Sequence, residues 1–531
     1  MHNMHLFVLY TLLFSKFVNI YCDIMVFPTD KARIMTIIFT LILFHTQAFT
    51  QQIKKIKLLQ ANSIEFDKSM GNDANRIKGN AVFSHDNILM YCDSAYLYQD
   101  RNDIEAFGNI HINVNDTLDM YSDKLIYTGN TRTARLIDHV KLIDKNTVLT
   151  TELLIFERNE NTATYYNKGK ITDKDNILVS IKGYYYTNNK KLFFKDSVVL
   201  TNPKYTMYSD TLLYNTYTDI ATFLGPTNII SKENTIYCEN GWYDTKNDIS
   251  SFSKKSLFHN KDKVLFGDSL YYDRKQGIGK AFRNITLIDT LKKVITCGNY
   301  AEYYENKGYS IVTDSAVGVF YDYKDSLFIH ADTLKATFDS TQNTKSTFAY
   351  HHTRFFRKDI QGICDSLVYN NSDSVITLYK NPVIWSDSNQ LFADTIIIKI
   401  SENEIKRIYF NNLAFIISLD DSMKFNQVKG KKMTGFLQDN KLYKVIVKGN
   451  SETIYYVRDE NGSLIGINKG VSNDLIIYIN DKKITSITYI NNPNATLYPE
   501  KDASPTELQL KYFKWLITQR PMSKFDIFRF K

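Results

Sequence analysis

A chain of 531 residues with 37 Tyr and 33 Phe against only 8 Pro is composed for extended β structure with polar turns. Helical periodicity is almost missing before residue 500, which speaks against a helical class. The formal charge of +8 is modest for this length, so it suits an acidic ligand without selecting one.

Residues 1–50 stand apart from the rest. Residues 4–20 are apolar, and residues 34–44 form a second apolar run, preceded by Lys31 and Arg33 and followed by Thr46-Gln-Ala48. The second run has the charged start, short apolar centre and small-residue exit of a secretory signal peptide, and it is too short to span a bilayer comfortably. Translation is expected to start at Met25 and the mature chain near Gln51. A retained membrane anchor is the alternative.

From residue 51 to about 440 one unit returns repeatedly. Its clearest copy is Asp119-Met-Tyr-Ser-Asp-Lys-Leu-Ile-Tyr127, with Asp123 as origin; others place the acid at Asp93, Asp210, Glu239, Asp268, Asp332, Asp365 and Asp394. Weaker copies end at Glu152 and Gly298, and the period is close to 29 residues. Such a period marks stacked supersecondary units, here about a dozen. Apolar or small residues stand three and one positions before the acid and two and four after it. A flat strand alternates faces with period two, so minus one and plus two share a face only if a corner or bulge at the acid resets the phase.

A second feature precedes each copy, a Gly or polar residue followed by a short apolar strand, as in Gly79-Asn-Ala-Val-Phe83, Gly108-Asn-Ile-His-Ile112 and Asp138-His-Val-Lys-Leu142. Each unit therefore reads as two or three short strands joined by Asn, Asp and Gly turns. One apolar face per unit demands stacking.

Cys92, Cys238, Cys297 and Cys364 are all read into the small column before the acid, two or more units apart. That separation exceeds the reach of a disulfide, so four free, buried thiols are expected. His351-His352 is read as an adjacent pair on opposite faces of a surface strand. The acids of the column are expected to face solvent or turn amides rather than calcium. No zinc spacing, catalytic triad or Gly-rich phosphate loop can be singled out, so neither cofactor nor enzymatic activity is expected.

Beyond residue 440 the period fades, though residues 441–500 still read as terminal strands. Ser504-Pro-Thr-Glu507 has the cap and first-turn proline of a helix start, and residues 508–516 are predicted to continue it as a short amphipathic C-terminal helix within residues 501–531. That element is either a cap for the stack or a docking piece.

The unit at Met120–Tyr127 with the preceding strand at Gly108–Ile112 resembles the OstA/LptA-type proteins of lipopolysaccharide transport, in particular the long OstA-like proteins of Bacteroidetes. The resemblance covers about residues 55–440. Gly466-Ile-Asn-Lys469, Thr496-Leu-Tyr-Pro499 and Arg520-Pro-Met-Ser-Lys-Phe-Asp-Ile-Phe528 also look like the ends of those proteins. The resemblance implies an all-β, elongated, repeat-built β-jellyroll, a solenoid-like slide whose apolar interior shields lipid A acyl chains in the periplasm. It implies lipopolysaccharide and the inner- and outer-membrane transport components as partners, with no nucleic acid and with energy from an inner-membrane ATPase complex.

On that reading the groove is lined by Met90, Met120, Leu125, Tyr127, Met207 and Leu212, and farther along by Tyr214, Leu265, Leu270, Tyr272, Leu367 and Tyr369. Methionines supply adaptable lining, and each buried methylene is worth about 0.8 kcal/mol. The outward neighbours Thr211 and Ser269 are expected to tolerate an acid. Two rivals remain: a structural or adhesive β-solenoid with a filled core, and an outer-membrane β-barrel, whose strict ten-residue alternation the 29-residue period does not match.

Overall fold

Both strands of each unit bend sharply in the middle. The computed structural model describes residues 54–66, 74–321, 325–401, 404–421, 423–439, 441–480, 483–504 and 507–529, so the signal region lies outside the described residues. From Lys57 onward the chain forms a single hydrogen-bonded sheet of 36 strands. Among the described residues the pairings are antiparallel and between near neighbours, as in Asp103–Val114 with Leu118–Thr128. Among the described residues the first and last strands do not pair with each other, so the sheet is open-ended rather than a closed barrel. No described helix is long and apolar enough to cross a membrane.

Most units are two strands of 11 or 12 residues, longer than the two or three short strands expected, whereas within residues 162–186, 309–338 and 375–401 the strands are short pieces of 4 to 7 residues, as expected. The bend explains why the sequence looked shorter-stranded. In the strand that carries the acid, the register passes from Cys92 to Ser94 while its neighbour passes from Ala81 to Lys78. One residue, Asp93, thus faces two, Gly79 and Asn80, which is a β-bulge. Those two are consecutive left-handed residues, φ +78° and +46°. Left-handed pairs recur at Gly108 and Asn109, Asp138 and His139, Asp196 and Ser197, Arg283 and Asn284, and His351 and His352. Gly, Asn and Asp tolerate that region best, which is why the sequence places them there.

Each corner folds the sheet into two walls. Residues before the acid lie on the first wall and residues after it on the second, so Ser122 and Leu125 both face inward, as the phase reset required. The acids brace the corners. Asn109 Nδ2 donates to Asp93 Oδ2 at 2.8 Å, Asn284 Nδ2 donates to Asp268 Oδ2 at 3.0 Å, and Lys255 Nζ donates to Glu239 Oε1 at 2.8 Å. Asp365 is held down to about 2, first by the Ser366 hydroxyl and then by Lys380 and His351. His351 and His352 are therefore a corner pair, not a strand pair. Both are exposed, and His352 Nδ1 lies 2.8 Å from Asp332 Oδ2.

Gly108 tests the corner. Its φ is +74°, and a Cβ there would stand 2.4 Å from Asp93 Oδ2. Gly108→Ala should lower unfolding stability by about 1–3 kcal/mol, read by denaturant unfolding, because it adds backbone strain and pushes the brace aside.

The predicted C-terminal helix does not form. Among the described residues the only helical pieces are 3-10 turns, at Glu500–Asp502, Ile517–Gln519 and Asp526–Phe528. Residues 507–529 instead run as an extended strap across the outer face of the first wall. Three buried glutamines on successive parts of that wall grip it. Gln427 Nε2 donates to Leu508 O at 2.8 Å and its Oε1 accepts from Leu510 N at 2.9 Å. Gln390 Nε2 donates to Lys514 O and its Oε1 accepts from Leu516 N at 2.7 Å. Gln361 Oε1 accepts from Arg520 Nε at 2.8 Å.

Gln427 and Gln390 take backbone groups a helix would have used internally, while Gln361 holds the Arg520 side chain, so tertiary contacts override the amphipathic pattern. Leu508, Leu510, Phe513 and Trp515 pack with Phe415, Ile417, Ile454, Tyr456 and Ile467 into a core outside the sheet. A separate core inside the fold runs from Ala316 to Ile477. The C-terminal element is thus neither helix nor end cap, but a second layer.

Candidate lipid trough

The interior between the walls changes character along the chain. In the N-terminal part the predicted lining is sealed: Met90, Met120, Leu125, Tyr127, Met207 and Leu212 are no more than 2% exposed. Leu270 and Leu367 are also buried. Tyr214, Leu265, Tyr272 and Tyr369 are only half-buried. The structure therefore brings all twelve to one interior, but only some of them to a space another molecule can reach.

The mouth opposite the corners explains the difference. In the N-terminal part polar bridges cross it. His85 Nδ1 meets the Tyr127 hydroxyl at 2.6 Å, and Arg132 pairs with Asp86 at 2.9 Å. Farther on, Asp144 takes both the Tyr185 hydroxyl and Lys190 Nζ, the latter at 2.9 Å. Burial pushes the Tyr127 phenol well above its ordinary range, so it stays a neutral hydrogen-bonding group.

Beyond these bridges the tyrosines turn to their own wall. Tyr214 donates to Asp219 at 3.2 Å, Tyr243 to Asp248 at 2.8 Å and Tyr272 to Glu305 at 2.8 Å. In this middle section the residues beside the corner stay buried, with Cys238 at 0% and Phe223 at 0% exposed. Those toward the mouth, Ile236, Tyr243, Leu265, Tyr272, Thr296 and Tyr303, are half-buried. A dry floor with an accessible apolar rim is a trough. It closes again where Lys292 Nζ donates to Thr344 Oγ1 at 2.6 Å and the core that starts at Ala316 fills the interior.

Cys92, Cys238 and Cys364 are free and buried in the small column, and burial pushes each thiol up to about 12. Cys297 is free but only half-buried. Its register corrects the reading of its unit: Gly298 pairs with Ile285 and Tyr300 with Phe282, so Asn299 takes the acid's place. Cys297 then falls two positions before the origin, on the outer face. No sequence signal separates these two alignments, because Gly298 is as small as the cysteine expected in that column.

Thr211 is also not a free outward position. It is buried, and its hydroxyl donates to Asp210 Oδ2 at 2.9 Å, so Thr211→Asp would set two carboxylates side by side. Among the described residues no cluster of His, Cys, Asp or Glu has a metal-holding arrangement.

Comparison with known proteins places this architecture. The family described as OstA-like protein matches residues 53–210, and the family described as LptA/(LptD N-terminal domain) LPS transport protein matches residues 302–404. Among solved structures the chain is similar to LptH, the LptA homologous periplasmic component of the conserved lipopolysaccharide transport device from Pseudomonas aeruginosa. That likeness has 12% sequence identity and a TM-score of 0.21, and it covers 27% of this chain and 96% of the LptH chain. No curated protein matches. Both family matches fall on the two-walled repeat, so residues 53–210 and 302–404 are similar to OstA/LptA-type lipopolysaccharide-transport proteins.

Proposed function

We propose that the protein shields the acyl chains of lipopolysaccharide in the middle section of its trough while the lipid crosses the periplasm. The observation that carries this reading is the half-buried apolar rim at Tyr243, Leu265 and Tyr272 above a buried floor. An acyl chain laid there gains about 0.8 kcal/mol for each methylene removed from water. No residue needs to be catalytic, because the work is solvation along a path. On this reading export is directed by residues 25–50, and the partners are lipopolysaccharide and the membrane components that load and unload it.

The sealed section around Met120 favours a different role for that part, a filled scaffold that holds the trough at a distance from whatever meets the N-terminal end. Such an arrangement combines the two readings of the apolar columns, filled core and groove, in separate stretches of one sheet.

Photo-crosslinking tests the proposal. A crosslinking amino acid at Tyr243, Leu265 or Tyr272 should capture lipopolysaccharide, whereas the same group at Trp242 or Tyr271, the outward neighbours, should not. Capture at both sets, or at neither in a folded protein, would rule out an interior lipid path and leave the filled solenoid.

A further inference from the structure

The far end of the strap roofs a cavity that the trough does not use. Lys524, Phe525 and Phe528 face Cys297, Val319 and Phe328 across an opening of about 530 Å³. It is an open cleft rather than an enclosed site, since Phe525 and Phe528 are 66% and 44% exposed. The cavity is on the outer face of the first wall. Cys297 lines it together with the neighbouring Gly298, whereas Thr296 does not.

Its chemistry is one-sided. The lining is mostly hydrocarbon and aromatic, with Thr286 Oγ1 and Cys297 Sγ 3.8 Å apart as a weakly polar spot and Asn284, Asn299 and Ser315 as a polar margin. Lys524 is the one charged residue of that lining. Its ammonium stands 5.8 Å from the Phe328 ring centre and 5.3 Å from that of Phe525. Asp526, the nearest acid in sequence, is already engaged. It pairs with Arg529 at 3.2 Å and accepts from Met522 N and Ser523 Oγ at 3.1 and 2.9 Å. Among the described residues Lys524 makes no ion pair; its exposed ammonium is held only by the two ring faces and can take an anion at the edge of the apolar surface.

We propose that this cavity binds an amphiphile with a linear hydrocarbon chain and an anionic head, the chain lying between Val319, Phe328 and Phe525 and the head on Lys524. A cationic head would meet Lys524 with repulsion. A neutral apolar molecule would gain nothing from the ammonium, whereas an anionic head adds a charge pair to the ring contacts it already has. The site is independent of the trough, since it lies on the opposite face of the wall and beneath the strap.

Cys297 is a built-in reporter. The other three cysteines of the sheet are buried, so in the full chain carrying Cys22→Ser a maleimide should label Cys297 first. Dodecanoate below its micelle concentration, at about ten times its dissociation constant, should slow that labelling about tenfold. Dodecyltrimethylammonium, with the same chain, should not, and Lys524→Glu should reverse the order of the two. The protection should persist in Leu265→Asp, which disables the trough, so failure of one site is distinguishable from failure of the other. No slowing by dodecanoate, equal slowing by both amphiphiles, or protection unchanged by Lys524→Glu would overturn the proposal.

Discussion

Met120→Asp should cost the N-terminal section about 3–5 kcal/mol, whereas Leu265→Asp, at the same place in a later unit, should cost about 1 kcal/mol or less and instead abolish lipid capture. Both side chains sit three positions before the acid of their copy. Met120 is 0% exposed beneath a bridged mouth, so a carboxylate there has neither water nor a partner. Leu265 is half-buried on the open rim, where a carboxylate reaches solvent but destroys the apolar surface. Because a repeat stack opens section by section, hydrogen exchange is the suitable measurement. Protection should fall across residues 74–215 in the first variant and stay unchanged in the second. Equal losses would mean that the two sections are packed alike.

Gln390→Leu should release the strap. Gln390 is fully buried, accepts from Trp385 Nε1 at 3.1 Å, and holds both Lys514 O and Leu516 N. Leucine fills the space but orphans three polar groups at about 1–3 kcal/mol each, a total on the order of 3 kcal/mol or more. Exchange at residues 508–516 should rise by a hundredfold or more on that scale. Protection at Met120, whose core is separate, should not change. Deleting residues 507–531 should go further, baring Phe415, Ile417, Ile454 and Tyr456 as a contiguous apolar patch and driving self-association, read by sedimentation. A soluble, monomeric deletion would show that the outer core is not needed to cover the wall.

The two variants act on different layers, and the contrast between them separates the inner interior from the outer one. Loss of the strap should also open the cavity beside Cys297, since Phe525 and Phe528 form its roof. Maleimide labelling of Cys297 should therefore quicken in Gln390→Leu without any ligand.

The sequence by itself determined the class, the period and the columns. A 29-residue repeat with apolar positions at minus three, minus one, plus two and plus four admits few backbones, because side chains alternate along a strand and only a phase reset puts Ser122 and Leu125 on one side. The Gly and Asn at Gly79-Asn80 and Gly108-Asn109 were legible only as turns between short strands; the pairing makes them left-handed corners within one strand, opposite the acid. What only the tertiary structure decided depends on partners distant in the chain. Met120 and Leu265 are equivalent by pattern. One is sealed and the other open because His85 reaches Tyr127 across the mouth while Tyr243 and Tyr272 bond along their own wall. Residues 508–516 carry a helical pattern, yet Gln427 and Gln390, 81 to 126 positions away in sequence, claim the backbone groups that a helix would have paired within itself. Local patterning fixes which face a residue takes. Whether that face is closed, open or covered by another layer is settled by contacts that no period in the sequence records.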